Sequence, residues 1–143
     1  MGYSQVNEDL KKKIKLLTFS YSNKPQSELL VVVPNPHPDL EYEEKLVYPE
    51  FTSLCPLAPT QPDYATLIIK YIPDEYIVEL KSLKFYLVAY RQVEIFHEAV
   101  VGQILKDIVE VVKPRRAQVK GQFTTRGGIQ TNIFASYKKN GRE

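Results

Sequence analysis

Phe96-His-Glu-Ala-Val-Val-Gly-Gln-Ile-Leu-Lys-Asp-Ile-Val-Glu-Val-Val112 is the stretch whose reading decides the fold. Phe96, Val100, Ile104, Ile108 and Val111 recur at helical spacing, so they predict a helix with one apolar face. Pro114 cannot continue it, and Lys113 stands against the negative end of the helix dipole. Just upstream, Leu80, Leu83, Leu87 and Tyr90 fall at i, i+3, i+7 and i+10, predicting a first helix through about Arg91. Two successive helices need an apolar surface to cover. The flanking segments supply it. Upstream, the β-branched run Leu29–Val33 is closed by Pro34 and reads as a strand, and Glu41–Val47 as a further short extended piece. Tyr64–Ile72, with Tyr64, Leu67, Ile69 and Tyr71, reads as a strand covered on both faces. Pro73-Asp-Glu75 is a turn. Downstream, Ala117–Thr124 turns Ala117, Val119, Gly121 and Phe123 inward, and Ile129–Tyr137 returns as a hairpin partner after Gly127-Gly128. The order ββααββ implies an α+β fold, an antiparallel sheet carrying two helices on one face.

The 143-residue chain is read as an N-terminal arm, residues 1–25, followed by a single domain, residues 26–143. In the arm only Leu10, Ile14 and Leu17 share a helical face. A hydrophobic fraction of 43% with 25% charged residues fits a globular protein rather than a disordered one. The lone cysteine excludes a disulfide framework, and one Cys with two His is too sparse for a zinc set. No bound metal is expected. Met1 precedes polar residues and Lys11-Lys12-Lys13, and Leu29–Pro34 is the longest apolar run. Neither a signal peptide nor a membrane span is therefore read, and the expectation is a cytoplasmic protein whose thiol stays reduced. Charge is uneven: Lys113–Glu143 holds eight Lys/Arg and one acid, whereas Asp39–Glu50 holds five acids and one lysine. A solvated basic face explains this, as does an anion site.

Chemistry-bearing residues occur in four places. Tyr48–Asp63 is punctuated by prolines, reads as a loop, and contains Cys55, with Asp63 eight positions on. A lone cysteine is ordinarily a small apolar filler. Thr52 and Ser53 before it, and Pro56 and Pro59 after it, argue instead for a reachable thiol that can ionise and attack. Asp63 could then move a proton; its plain alternative is a turn aspartate. On Glu79-Leu-Lys-Ser-Leu-Lys-Phe-Tyr86, Lys81 and Lys84 share a helix face and could clasp an anion, or simply be solvated. Glu79 suits the start of that helix. His97-Glu98 opens the long helix but is no zincin, because position 101 is Val101. The pair could cap the helix, or its glutamate could accept the paired N–H donors of a purine-like edge. Arg126-Gly-Gly128 could form a phosphate nest, and a hairpin turn explains its glycines equally.

Together, Phe51-Thr-Ser-Leu-Cys-Pro56, Gln61-Pro-Asp63, Glu79-Leu-Lys-Ser-Leu-Lys-Phe-Tyr86, Phe96-His-Glu98 and Arg126-Gly-Gly128 resemble the NADPH-dependent 7-cyano-7-deazaguanine reductases in their short, single-domain form. The resemblance spans about Tyr48 to Ile129. It implies a tunnelling fold related to GTP cyclohydrolase I, with homo-oligomeric rings, two stacked rings of five, and active sites between subunits. It implies four-electron reduction of a nitrile to the amine of 7-aminomethyl-7-deazaguanine, a precursor of queuosine in tRNA. On that reading Cys55 forms a covalent thioimide and Asp63 manages the proton. Val78, Glu79, Leu80, His97 and Glu98 contact the substrate, and Lys81, Lys84 and Arg126 contact NADPH. No membrane and no direct nucleic-acid partner are implied. The sequence departs from the family pattern in one added residue between Cys55 and Asp63, in Thr125 where proline is frequent, and in Gln92-Val-Glu-Ile95, which lacks a glycine. Two rivals differ in class: an amidine-forming relative from tRNA modification, which generally lacks the Lys-Ser-Leu-Lys stretch, and a non-catalytic purine- or tRNA-binding protein. The absence of a Gly-x-Gly-x-x-Gly run means the cofactor sits on something other than a Rossmann turn.

Overall fold

In the computed structural model the described residues are 8–10, 12 and 24–140. The expected N-terminal arm lies almost wholly outside them. Among the described residues there are six strands: β1 (Val32–Pro34), β2 (Glu44–Cys55), β3 (Ala58–Ile72), β4 (Tyr76–Val78), β5 (Arg116–Phe123) and β6 (Asn132–Lys138). Two helices pack on the sheet, α1 (Leu80–Val88), followed by a 3-10 turn at Ala89–Gln92, and α2 (His97–Val112), and a short 3-10 turn at Ser27–Leu29 precedes β1. The main sheet has the order β2-β3-β5-β6, every pair antiparallel. The observed order is ββββααββ rather than the expected ββααββ: β2 continues through the segment expected as a loop, and β4 is added before α1. β1 and β4 form a separate antiparallel pair, with Val32 opposite Val78. The fold is α+β, and among the described residues no helix is long and apolar enough to cross a membrane.

The helices cover one face of the sheet only, and this sets the burial pattern. On β3 the inward residues Leu67, Ile69 and Tyr71 are at most 1% exposed, while Tyr64 on the other face is 50% exposed. The expectation of a strand covered on both faces is corrected accordingly. The open face instead carries a shallow groove lined by Lys45, Lys70, Lys120 and Gln118 beside Ile68 and Phe134. Val100, Ile104 and Ile108 of α2 are fully buried against the inner face, as their spacing predicts. The helix comes close to β5 at Gly121, where a Cβ would lie 2.8 Å from Val101 Cγ2 and from the Phe123 ring. Lys113, in the left-handed region at φ 52°, ends α2 ahead of Pro114.

Tyr48–Asp63, expected as a loop, is a hairpin: β2 runs through Cys55, and β3 begins at Ala58. Proline is tolerated here because of where it falls. Pro49 lies in the register shift between Tyr48 and Phe51, on an edge strand, and Pro62 precedes the point at which β5 joins β3. Both helices also begin differently from their patterns. Leu80 is 56% exposed, and Phe96 precedes α2 as its N-cap residue, 53% exposed. The helices are joined by a buried polar contact in which Tyr86 donates to Asp107 Oδ2, and within α2 Gln103 Nε2 donates to Asp107 Oδ1 at 2.8 Å. Burial pushes the neighbouring Tyr90 phenol up to about 12, so these hydroxyls stay protonated.

Candidate active site

The core face of the sheet changes character at one end. Along β3 it runs Tyr71, Ile69, Leu67, Ala65 and then Asp63; along β2 it runs Phe51, Ser53 and then Cys55. Along β5 it ends in Phe123, which pairs with Ala65. Strand alternation therefore delivers a thiol, a carboxylate and an aromatic ring to one place. The segment before α2 completes it. Leu54 N–H donates to Val93 O at 2.9 Å, and Ile95 N–H donates to Leu54 O at 3.1 Å. This short parallel pairing fixes the entry of α2 beside the end of β2.

The first residue of α2, His97, lies flat on Phe123, the rings 3.8 Å apart and inclined by 9°. Its Nε2 is 3.2 Å from Asp63 Oδ2. Arg126 approaches from the β5–β6 connection, with Nε 3.9 Å from Asp63 Oδ1 and Nη2 donating to Pro62 O. Thr52 Oγ1 donates to Asp63 O at 2.8 Å, holding the backbone of the same residue. Asp63 itself is only 6% exposed. A carboxylate buried to that degree needs partners, and two donors flank it. Asp63 stands directly opposite Ser53 in the ladder.

These groups line a cleft of about 300 Å³ bounded by Cys55, Pro56, Gln61, Asp63, Phe96, His97, Glu98 and Arg126. Cys55 is a free, half-buried thiol, and the Glu98 carboxylate is exposed at the opening turn of α2. The arrangement offers a nucleophile, a buried proton carrier and an exposed acceptor for a ring with N–H donors.

Five residues singled out in the sequence do not line this cleft. Val78 ends β4, and Glu79, Leu80, Lys81 and Lys84 belong to the start of α1. Glu79 is the N-cap: Oε1 accepts from Lys81 N–H at 2.8 Å, and Oε2 accepts from Ser82 N–H at 2.7 Å. The Ser82 hydroxyl donates to Glu79 O and accepts from Val31 N–H, tying α1 to the segment before β1. Lys81 and Lys84 are exposed. Arg126, grouped with those lysines by sequence, instead lies in the cleft against Asp63. Phe96 and Gln61 line the cleft although neither was given a role from sequence. The helical period hid Phe96, placing it on the core face, and Gln61 was masked by its proline-rich setting. Among the described residues no group of three or more His, Cys, Asp or Glu side chains is arranged to hold a metal ion.

The family model for QueF-like protein matches residues 62–142, more than half of the chain. This chain belongs to the QueF family. Curated members of the family are similar over most of its length. The NADPH-dependent 7-cyano-7-deazaguanine reductase of Neisseria gonorrhoeae is 46% identical over 98% of this chain and 90% of its own. That of Exiguobacterium sibiricum is 49% identical over 81% of this chain and 71% of its own. That of Thermomicrobium roseum is 46% identical over 79% and 88%. Among solved structures, the apo form of an archaeosine synthase described as QueF-Like superposes with a TM-score of 0.56. It covers 79% of this chain and 95% of its own at 21% identity, a likeness of fold.

Proposed function

We propose that this chain reduces the nitrile of 7-cyano-7-deazaguanine to the primary amine of 7-aminomethyl-7-deazaguanine with NADPH, in the biosynthesis of queuosine. The observation that carries this is the convergence of Cys55, Asp63, His97 and Glu98 on one cleft, in a chain 46% identical over 98% of its length to a reductase of that name. Asp63, as carboxylate, takes the proton of the Cys55 thiol, and Cys55 Sγ, now thiolate, adds to the nitrile carbon. One C–N π pair moves to nitrogen, which takes a proton from Asp63, giving a thioimide. A thioimide is a better hydride acceptor than a nitrile, so covalent attachment lowers the barrier that follows. The donors around Asp63 stabilise its carboxylate once the proton has gone. Glu98, with His97, holds the deazaguanine ring. NADPH, when bound, supplies hydride. Lys81 and Lys84, exposed one helical turn apart on α1, suit its phosphates, and Arg126 retains donors beyond those it uses on Pro62.

The site is shared between subunits on this reading. Val78–Lys84 stand away from the thiol of their own chain, and β2 and β6 are open edge strands suited to pairing with a neighbour. Rings of a tunnelling fold, two of five stacked, would bring α1 of one chain to the Cys55 cleft of the next. The Lys81-Ser-Leu-Lys84 stretch favours reduction over amidine formation. The test is a turnover assay with the nitrile and NADPH. Two NADPH are expected to be oxidised per amine formed, because each hydride carries two of the four electrons. Amine formation without NADPH oxidation, or no reaction, contradicts the proposal.

A further inference from the structure

Ser53 is fully buried, and its Oγ has no hydrogen-bond partner among the described residues. A buried hydroxyl left unpaired is costly, and native interiors rarely retain one without a use. Its position is specific. It stands directly opposite Asp63 in the β2–β3 ladder, on the same inward face, two residues before Cys55. Side chains opposed in this way have Cβ atoms about 4.5–5.5 Å apart, so one staggered rotation of a serine can carry its hydroxyl to an opposing carboxylate.

We infer that Ser53 is a positioning residue for Asp63, its hydroxyl donating to the carboxylate once that side chain turns from His97 toward Cys55 and the substrate. This rests on Asp63 being the proton carrier. In the free protein the carboxylate is held by His97 at 3.2 Å, with Arg126 Nε 3.9 Å away. When Asp63 delivers its proton beside Cys55 it becomes an anion in a buried place, with Glu98 as the other carboxylate of the cleft. A neutral donor already buried beneath it then stabilises the charge without bringing in water. Arg126 cannot follow as readily, because its guanidinium is anchored on Pro62 O. Thr52, the neighbouring hydroxyl, is committed to Asp63 O. Ser53 is the hydroxyl left over.

The test is the pH profile of kcat for the wild type, Ser53→Ala and Ser53→Thr, with the KM for NADPH and the denaturant midpoint measured on the same preparations. In Ser53→Ala the pH profile of kcat is displaced toward higher pH, because a donor to the carboxylate has been removed. Its kcat falls about 3- to 30-fold, its KM for NADPH stays unchanged, and it unfolds at the same or higher denaturant. Ser53→Thr, which keeps a hydroxyl, restores the wild-type profile. A superimposable profile in Ser53→Ala overturns the inference, as does a loss of stability without a displaced profile. Full turnover by Asp63→Asn would instead remove the proton-carrier reading on which it rests, and the two failures are thereby told apart.

Discussion

At the scale of single residues, the site is a set of side chains each held by something other than its chemical task. His97 is oriented by stacking on Phe123, the backbone of Asp63 is pinned by Thr52, and Arg126 is anchored on a carbonyl. Glu98 differs, standing exposed at the opening turn of α2. Glu98→Ala should therefore leave the fold intact and weaken binding of 7-cyano-7-deazaguanine by about 10- to 200-fold, for the loss of charge-assisted hydrogen bonds worth about 1.5–3 kcal/mol. Isothermal titration should show NADPH affinity little changed. An unchanged nitrile dissociation constant would remove Glu98 from ring recognition. The nearness of Cys55 and Asp63 was legible in the sequence, because they lie eight positions apart in one segment, and both line the cleft. The partners of Asp63 were not legible, because His97 and Arg126 reach it only through the folded ladder.

At the scale of elements, the closeness of α2 to β5 is what aligns His97 with the strand ends. Gly121 permits it. Gly121→Ala would place a methyl group 2.8 Å from Val101 and from the Phe123 ring, and overpacking of this kind costs about 1–3 kcal/mol. Chemical denaturation should register that loss. Turnover should fall as well, since any shift of Phe123 moves the ring on which His97 rests. Activity equal to wild type in a destabilised Gly121→Ala would separate the packing from the site. The two helices and β5 were readable because their apolar residues keep a clean period. The β2–β3 hairpin was not, because Pro49, Pro56, Pro59 and Pro62 carry a loop signal that edge position and register irregularity override. β4 escaped notice for another reason. Three residues are too few for alternation to show.

At the scale of the whole molecule, the turn after β3 is tied to the end of β6. Asp74 accepts from Lys139 Nζ at 2.8 Å, and Arg115 Nε lies 3.5 Å away. The Lys139 hydrogen bond holds the Asp74 carboxyl below its ordinary value of 3.8. A depressed carboxyl favours the native state above the unfolded pKa, and that contribution is lost as pH falls through the folded value. Asp74→Asn should thus be less stable than wild type at neutral pH, with the gap closing below about pH 3.8 in parallel denaturation curves. A gap independent of pH would mean the effect is not ionic. The one-sided sheet and its helices, read from sequence as α+β, give the chain its architecture. The separation of Val78–Lys84 from the Cys55 cleft could not be read from spacing, because it depends on where α1 packs.

The proposed mechanism stands on Cys55 being the nucleophile. Intact-mass spectrometry of the protein incubated with 7-cyano-7-deazaguanine in the absence of NADPH tests this most directly. One substrate mass should add to the wild-type chain and map to the peptide containing Cys55, and Cys55→Ala should bind without adding mass and should not turn over. No adduct on the wild type, together with undiminished NADPH oxidation by Cys55→Ala, would contradict it.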